Sequence, residues 1–258
     1  AVVQALKESR HNTKMSSPRF FIEQKLALGA QFLLPPGAAR HAARVLRLSA
    51  GDTLHLFNGQ GGAYAARIEQ IRKDEVEVSI IEFEDTDCES PLQVLLAQGI
   101  SSGERMDYTL QKAVELGVTA IQPIAAKRSI VKLTSERADK RVAHWQGVVN
   151  SACEQSGRNH VPAVAQPLSL ANWLAQRPNG RLLFLSPQAS ARLADLPEPQ
   201  GLQILIAGPE GGFEAEEIAA LESADAIAVR LGPRVLRTET AALAALAAMQ
   251  MAWGDFSI

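Results

Sequence analysis

Only two cysteines occur in the 258 residues, Cys88 and Cys153, and they stand far apart without a CxxC pair. That excludes a disulfide-stapled scaffold and a cysteine-built zinc site. Long apolar runs are missing too. The longest nearly unbroken one, Ala241 to Ala248, falls well short of the roughly 20 residues that cross a bilayer. No charged-then-apolar leader with a cleavage site opens the chain, so a soluble cytoplasmic protein is expected. The five histidines (11, 41, 55, 144, 160) show no ligand spacing and no HExxH, which argues against metal catalysis. GxSxG is absent, and with it the nucleophile elbow of serine hydrolases. Neither GxxxxGK[ST] nor GxGxxG is present, so nothing supports a triphosphate loop or a dinucleotide fold.

What is there is ordinary globular material, 47% hydrophobic and 21% charged, enough for one large or two modest domains. The net charge of −2 hides an asymmetry. Residues 15–73 hold eight lysines and arginines against three acids, a net +5, whereas residues 74–89 hold eight acids and no base. A basic face of this kind is what nucleic-acid affinity needs, although a barrel with merely solvated arginines would look the same.

Residues 1–14 are polar and read as a flexible leader before Met15. Residues 15–84 read as a small β-barrel of short strands and tight turns: 19–22, 31–34, 53–57, 63–71 and 75–83, with one helix over Gly37 to Leu48. The acidic residues 85–91 read as a linker. From 92 to 258 the period changes. Strands at 92–97, 119–124, 181–185, 202–207 and 226–231 alternate with helices at 103–116, 134–156, 168–176, 214–223 and 238–253, the pattern of an α/β domain with a mostly parallel sheet. Met106, Leu110, Ala113 and Val114 share one helical face, as do Ala138, Val142, Trp145, Val149 and Ala152. The last helix lacks a polar face, so it is buried on several sides, in a core or against another subunit.

Three segments could carry chemistry. Ile206 to Phe213 (IAGPEGGF) is a glycine-rich turn leaving an apolar strand and entering a helix, where open α/β sheets place ligands. Its glycines let backbone amides approach a ligand, or merely serve a tight turn. Leu231 to Ala241 (LGPRVLRTETA) runs from a strand through a polar loop into an alanine-rich helix, with Thr238 the expected N-cap. Glu154 to His160 (EQSGRNH) ends the long helix. Gly157 suits its C′ position, and Gln155 and Arg158 are either solvated there or contact RNA phosphate and base edges.

At these residues the chain resembles the ribosomal RNA small subunit methyltransferase E family, of the SPOUT superfamily. GPEGGF (Gly208 to Phe213) and LGPRVLRTETA carry the likeness. It extends to KAVELGV (Lys112 to Val118), CEQSGR (Cys153 to Arg158), Val161-Pro162 and HAARVLRLSAGD (His41 to Asp52). The resemblance implies an N-terminal PUA-like RNA-binding barrel and a C-terminal α/β domain with a deep trefoil knot. It implies a homodimer through the C-terminal domain, S-adenosyl-L-methionine as cofactor, and methylation of N3 of one uridine in the decoding region of 16S rRNA within the small subunit. Mapped residue by residue, the cofactor site takes Leu185, Ser186, Ala207, Gly208, Pro209, Glu210, Gly211, Gly212, Leu231, Gly232, Val235, Leu236, Thr240 and Ala241. Arg237 is the cation expected to stabilise the uracil anion, with Arg158, supplied by either protomer, second. Glu239 and Glu210 are the candidate proton acceptors. Arg19, Arg40, Arg44, Arg47 and Arg67 are expected to contact phosphates. Two other readings stay open here: a non-catalytic RNA-binding or assembly factor with a vestigial pocket, and a nucleotide-binding enzyme with a different donor.

Overall fold

The structure, a computed structural model, describes residues 17–73, 75–129 and 135–256. The expected leader and the first residue of the helix expected over 134–156 lie outside the described residues. The chain divides into two compact units, with the boundary between Asp87 and Cys88.

In the first unit, β1 (Arg19–Phe21), β2 (Gln31–Leu33), β3 (Thr53–Phe57), β4 (Ala63–Arg72) and β5 (Glu75–Glu84) form one sheet in the order β1-β3-β4-β5-β2. All neighbours are antiparallel except β1, which runs parallel to β3. Alternation decides which side is wet: Val76, Val78 and Ile80 of β5 are buried, while Glu75 between the strands' turn and Val76 is exposed. Phe20, Ile22, Leu54, Leu56, Ala66 and Ile68 complete that core, and Ala39 and Ala42 cover it. The β4–β5 ladder slips at Ala65/Ala66 and again at Ile68/Gln70, each slip adding local twist.

The single helix expected over Gly37 to Leu48 is in fact two pieces. Helix α1 (Pro36–Arg40) begins with a proline whose missing N–H costs nothing at that position. A π-helical turn, His41–Val45, follows directly. The wider turn is closed by Leu46 N donating to His41 O (3.0 Å), and Leu48 N then reaches back to Ala42 O (3.0 Å). Leu48 thereby packs against the core beside Ala42.

Among its described residues the second unit holds six parallel strands: β6 (Val94–Gly99), β7 (Ala120–Ile124), β8 (Ala163–Val164), β9 (Arg181–Leu185), β10 (Gln203–Ala207) and β11 (Ile227–Val229), ordered β11-β9-β10-β6-β7-β8. The central strands β6 and β10 are buried at every residue, which is why they read as apolar runs without alternation. Helices α2 (Glu104–Glu115), α3 (Ser135–Ser156), α4 (Leu170–Gln176), α5 (Ala215–Ser223) and α6 (Thr238–Trp253) connect and cover them. Met106, Leu110, Ala113 and Val114 are buried on α2. Trp145, Val149 and Ala152 are buried on α3, with Ala138 and Val142 half-buried. The two-residue β8 and a 3-10 turn at Leu193–Asp195 are too short to show a period.

Helix α6 packs on α2 and β10 with Ala242, Ala245, Leu246 and Met249 buried, while Ala244, Met251 and Ala252 are exposed. A buried glutamine anchors its end. Gln250 Nε2 donates to Leu116 O (2.9 Å) and Oε1 accepts from Ser90 Oγ (2.7 Å). Ser90 therefore belongs to the second unit's packing rather than to a free linker over 85–91. Among the described residues no helix is long and apolar enough to cross a membrane.

Candidate active site

The C-terminal ends of the neighbouring strands β9, β10 and β11 release three loops side by side, and a cavity of about 650 Å³ opens among them. Carboxyl ends of parallel strands are where such sheets hold ligands. Of the residues expected to hold the cofactor, all but Thr240 line the cavity. Thr240 is exposed on the first turn of α6. Helical periodicity turns it away from the wall that Thr238 and Ala241 share.

The glycine-rich loop is seated tightly. A Cβ on Gly99, the last residue of β6, would stand 2.4 Å from Pro209 N, and one on Gly211 would stand 2.9 Å from Arg128 Cβ. Glu210 clamps the loop from above. Its Oε1 accepts from Ser102 N (2.9 Å), Ser102 Oγ (2.9 Å) and Arg105 Nη1 (3.2 Å). Burial alone would raise the Glu210 pKa. The hydrogen bonds from Ser102, from its own backbone N–H and from Arg105 outweigh burial and hold the carboxyl below the ordinary glutamate value. A carboxylate so held is a weaker proton acceptor than an ordinary glutamate. It also makes stability depend on pH. The contribution is fully present above the ordinary glutamate range and is lost as pH falls through the lowered folded value. Glu210→Gln should therefore shrink the fall in melting temperature between about pH 7 and about pH 4, and an unchanged fall in the variant would refute the clamp.

Under the loop lies a buried polar chain. Gln98 Nε2 donates to Gly99 O (3.0 Å) and to Thr238 Oγ1 (3.1 Å), and Thr238 Oγ1 donates to Gly208 O (2.5 Å). Thr238 is thus the first helical residue, its hydroxyl engaged with the loop, and the N-cap is Arg237. The expectation that Thr238 caps the helix fails for that reason. Glu217, buried on α5, makes a second tie: it accepts from Glu214 N (2.9 Å) and from Lys127 N (3.0 Å). The loop after β7 is thereby fastened to the start of α5.

Arg237 is exposed on the cavity wall, beside Glu239, whose Oε2 is buried without a hydrogen-bond partner. Four further arginines line the same cavity: Arg105, Arg128, Arg230 and Arg234. Arg105 and Arg128 escaped sequence reading because they come from the first turn of α2 and the loop after β7, about a hundred residues upstream in the chain. Arg128 Nη1 donates to Gly211 O (3.3 Å) and stays half-exposed.

Arg158 is elsewhere and has another task. It is 4% exposed, its Nη1 donates to Val114 O (2.9 Å) and Val118 O (2.8 Å), and its Nε and Nη2 grip the Glu89 carboxylate. The expected catalytic and RNA-contacting roles of Arg158 are corrected accordingly: it is a buried staple between Glu89 and the end of α2. Gln155 is exposed on the last turn of α3. In the first unit Arg40, Arg44, Arg47 and Arg67 are exposed, and Arg19 lies 5.0 Å over the ring of Phe57.

Comparison with known proteins follows the same division. Residues 88–250 match the RNA methyltransferase domain family and residues 34–81 the RNA methyltransferase PUA domain family. A ribosomal RNA small subunit methyltransferase E from Buchnera aphidicola is 34% identical, over 95% of this chain and all of its own. The Bacillus subtilis protein of that name is 32% identical over 90% of this chain and 95% of its own. The crystal structure of the Neisseria gonorrhoeae protein of that name, bound to S-adenosylmethionine, is 46% identical. It superposes with a TM-score of 0.87 over 93% of this chain and 99% of its own. A Legionella pneumophila methyltransferase solved with the same cofactor is 39% identical, with a TM-score of 0.91 over 94% of this chain and all of its own. With its PUA unit, its parallel-sheet methyltransferase unit and this cavity, the chain belongs to the ribosomal RNA small subunit methyltransferase E family.

Proposed function

We propose that the protein transfers a methyl group from S-adenosylmethionine to N3 of a uridine in the decoding region of 16S rRNA, within the small ribosomal subunit. The observation that carries this reading is the cavity built by the Gly208–Gly212 and Leu231–Thr238 loops at adjacent strand ends. The residues fit such a cofactor. Gly208, Gly211 and Gly212 bring the loop's backbone to the cavity wall without side chains in the way, and Leu185, Leu231, Val235 and Leu236 offer apolar surface to an adenine. The Oε2 atoms of Glu210 and Glu239 are buried without partners, which suits a ligand that carries positive charge. Bound there, S-adenosylmethionine supplies an electrophilic methyl group.

The chain's own residues handle the nucleotide. Uracil N3 carries a proton at neutral pH and is a poor nucleophile until it leaves. Glu239 accepts that proton, and Arg237 stabilises the uracil anion, in which the N3 lone pair is free to react. Arg105, Arg128, Arg230 and Arg234 hold the phosphates beside the target and so align it. The exposed apolar side of α6 (Ala244, Met251, Ala252) supports the homodimer, and the convergence of the three loops supports the deep trefoil knot.

Arg19, Arg40, Arg44, Arg47 and Arg67 extend the phosphate contacts onto the first unit. RNA affinity therefore falls steeply with salt, and Arg44→Ala lowers the slope of log K against log [salt] by about 1. A salt-independent affinity would remove that surface from the proposal. The proposal as a whole is tested by methyl transfer from labelled S-adenosylmethionine to small subunits lacking the modification, with the product nucleoside identified by mass spectrometry. 3-Methyluridine is expected. A different methylated nucleoside would discard N3 of uridine, and cofactor binding without transfer would discard the substrate.

A further inference from the structure

Between two of the exposed arginines stand two side chains that phosphate contacts do not explain. Val45 is 68% exposed and Leu46 is 40% exposed, flanked by Arg44 and Arg47, which are exposed as well. The backbone departs from regularity twice to present them. In an unbroken α-helix, Ala39, Ala42 and Leu46 would share one stripe, at spacings of three and four, and Leu46 would join the core. The π-helical turn His41–Val45 adds residues to the turn and rotates that register, so that Leu48 packs inward and Leu46 faces water. Arg47 then takes φ +54°, a left-handed conformation rare for a long side chain. A fold that carries two irregularities to expose an apolar pair between cations is holding a recognition element.

We propose that Val45 and Leu46 form an apolar wedge that seats against an unstacked base of folded RNA while Arg40, Arg44 and Arg47 hold the neighbouring phosphates. This rests on the reading of the protein as acting on rRNA. Charge selects the occupant. No acidic residue lies between Glu23 and Asp52, and Asp52 is engaged, accepting from Ser49 N at 2.8 Å. A second copy of this chain would bring its own arginines against these, a repulsive arrangement, whereas a base with phosphates on either side matches both the apolar pair and the cations.

The test uses the full-length protein and protein-free 16S rRNA. Val45→Thr with Leu46→Asn keeps size and, at exposed positions, the fold. Its Kd for the RNA should rise roughly tenfold with the salt slope unchanged, since stacking and apolar contacts release no counterions. Arg47→Gly is the complement. Glycine adopts the left-handed φ freely, so the melting temperature should hold while the salt slope drops by about 1. A double variant that binds protein-free rRNA like the parent overturns the wedge. So does a loss seen with whole subunits and not with protein-free rRNA, which would make the partner a ribosomal protein, or a fall in sedimentation coefficient, which would make this an interface between copies. If the parent itself transfers no methyl group to small subunits, the underlying function fails instead, and the two failures are told apart.

Discussion

Replacing Arg237 by alanine is expected to lower kcat for methyl transfer by about 10²–10³-fold, the usual cost of losing a charge-stabilising donor. S-adenosylmethionine affinity should stay within about twofold, because only groups that act on developing charge separate kcat from binding. The position argues for the split. Arg237 is an exposed N-cap residue with no capping hydrogen bond from its side chain, so its removal leaves α6 with Thr238 still tied to Gly208. Arg237→Lys should restore part of the rate, since a point charge replaces a planar one at the same site. Isothermal titration with the cofactor and single-turnover transfer on small subunits measure the two quantities separately. A large loss of cofactor affinity in Arg237→Ala would make this arginine part of the cofactor's own binding site.

The largest loss of stability is expected at Arg158, which no catalytic step uses. Arg158→Ala removes the guanidinium from which the Glu89 carboxylate and the carbonyls of Val114 and Val118 accept hydrogen bonds. Breaking one side of such a buried pair costs about 3–5 kcal/mol. For a unit of this size the melting temperature should fall on the order of 10 °C. Replacing both partners, as in Glu89→Leu with Arg158→Met, should destabilise less than Arg158→Ala alone, because no unpaired charge remains. Thermal melts of the parent and these two variants give the comparison. If Arg158→Ala melts with the parent while its turnover collapses, the staple is wrong and a catalytic role returns.

Arg158 also shows where reading a sequence stops. Gly157 correctly marks a helix end, and an arginine after a helix end is usually solvated. Its partner is Glu89, inside an acidic run that reads as a linker because nothing local distinguishes one glutamate among eight acids. Pairing across 69 residues leaves no periodic trace. The same holds for Arg105 and Arg128, whose place beside the Gly208–Gly212 loop follows from the strand order β10-β6-β7 and not from any spacing along the chain. Elements with an internal period were legible. The buried face of α2 and the span of α6 follow from apolar spacing, and β3 and β9 from short apolar runs bounded by turn residues. The π-helical turn after α1 was not, because its sequence satisfies an α-helical stripe up to Leu46, and only packing against the sheet decides for Leu48. Thr238 was misread in a similar way. A threonine at a helix start signals a cap, and the competing acceptor, Gly208 O, is thirty residues away.

The register that sets β6 beside β10, Val94 against Gln203 through Ala97 against Ile206, has a bearing on how the protein comes into being. More than a hundred residues separate the two partners, so the centre of the sheet cannot close while the ribosome is still making the segment between them. The first unit has no such wait, since β3, β4 and β5 are consecutive and pair as they emerge. The exposed arginines of that unit are therefore in place early in synthesis. Cofactor capture waits until Arg237 and the helix behind it have left the exit tunnel, because one of the three cavity loops does not exist before then. A nascent chain of this protein completes its basic barrel well before its cavity.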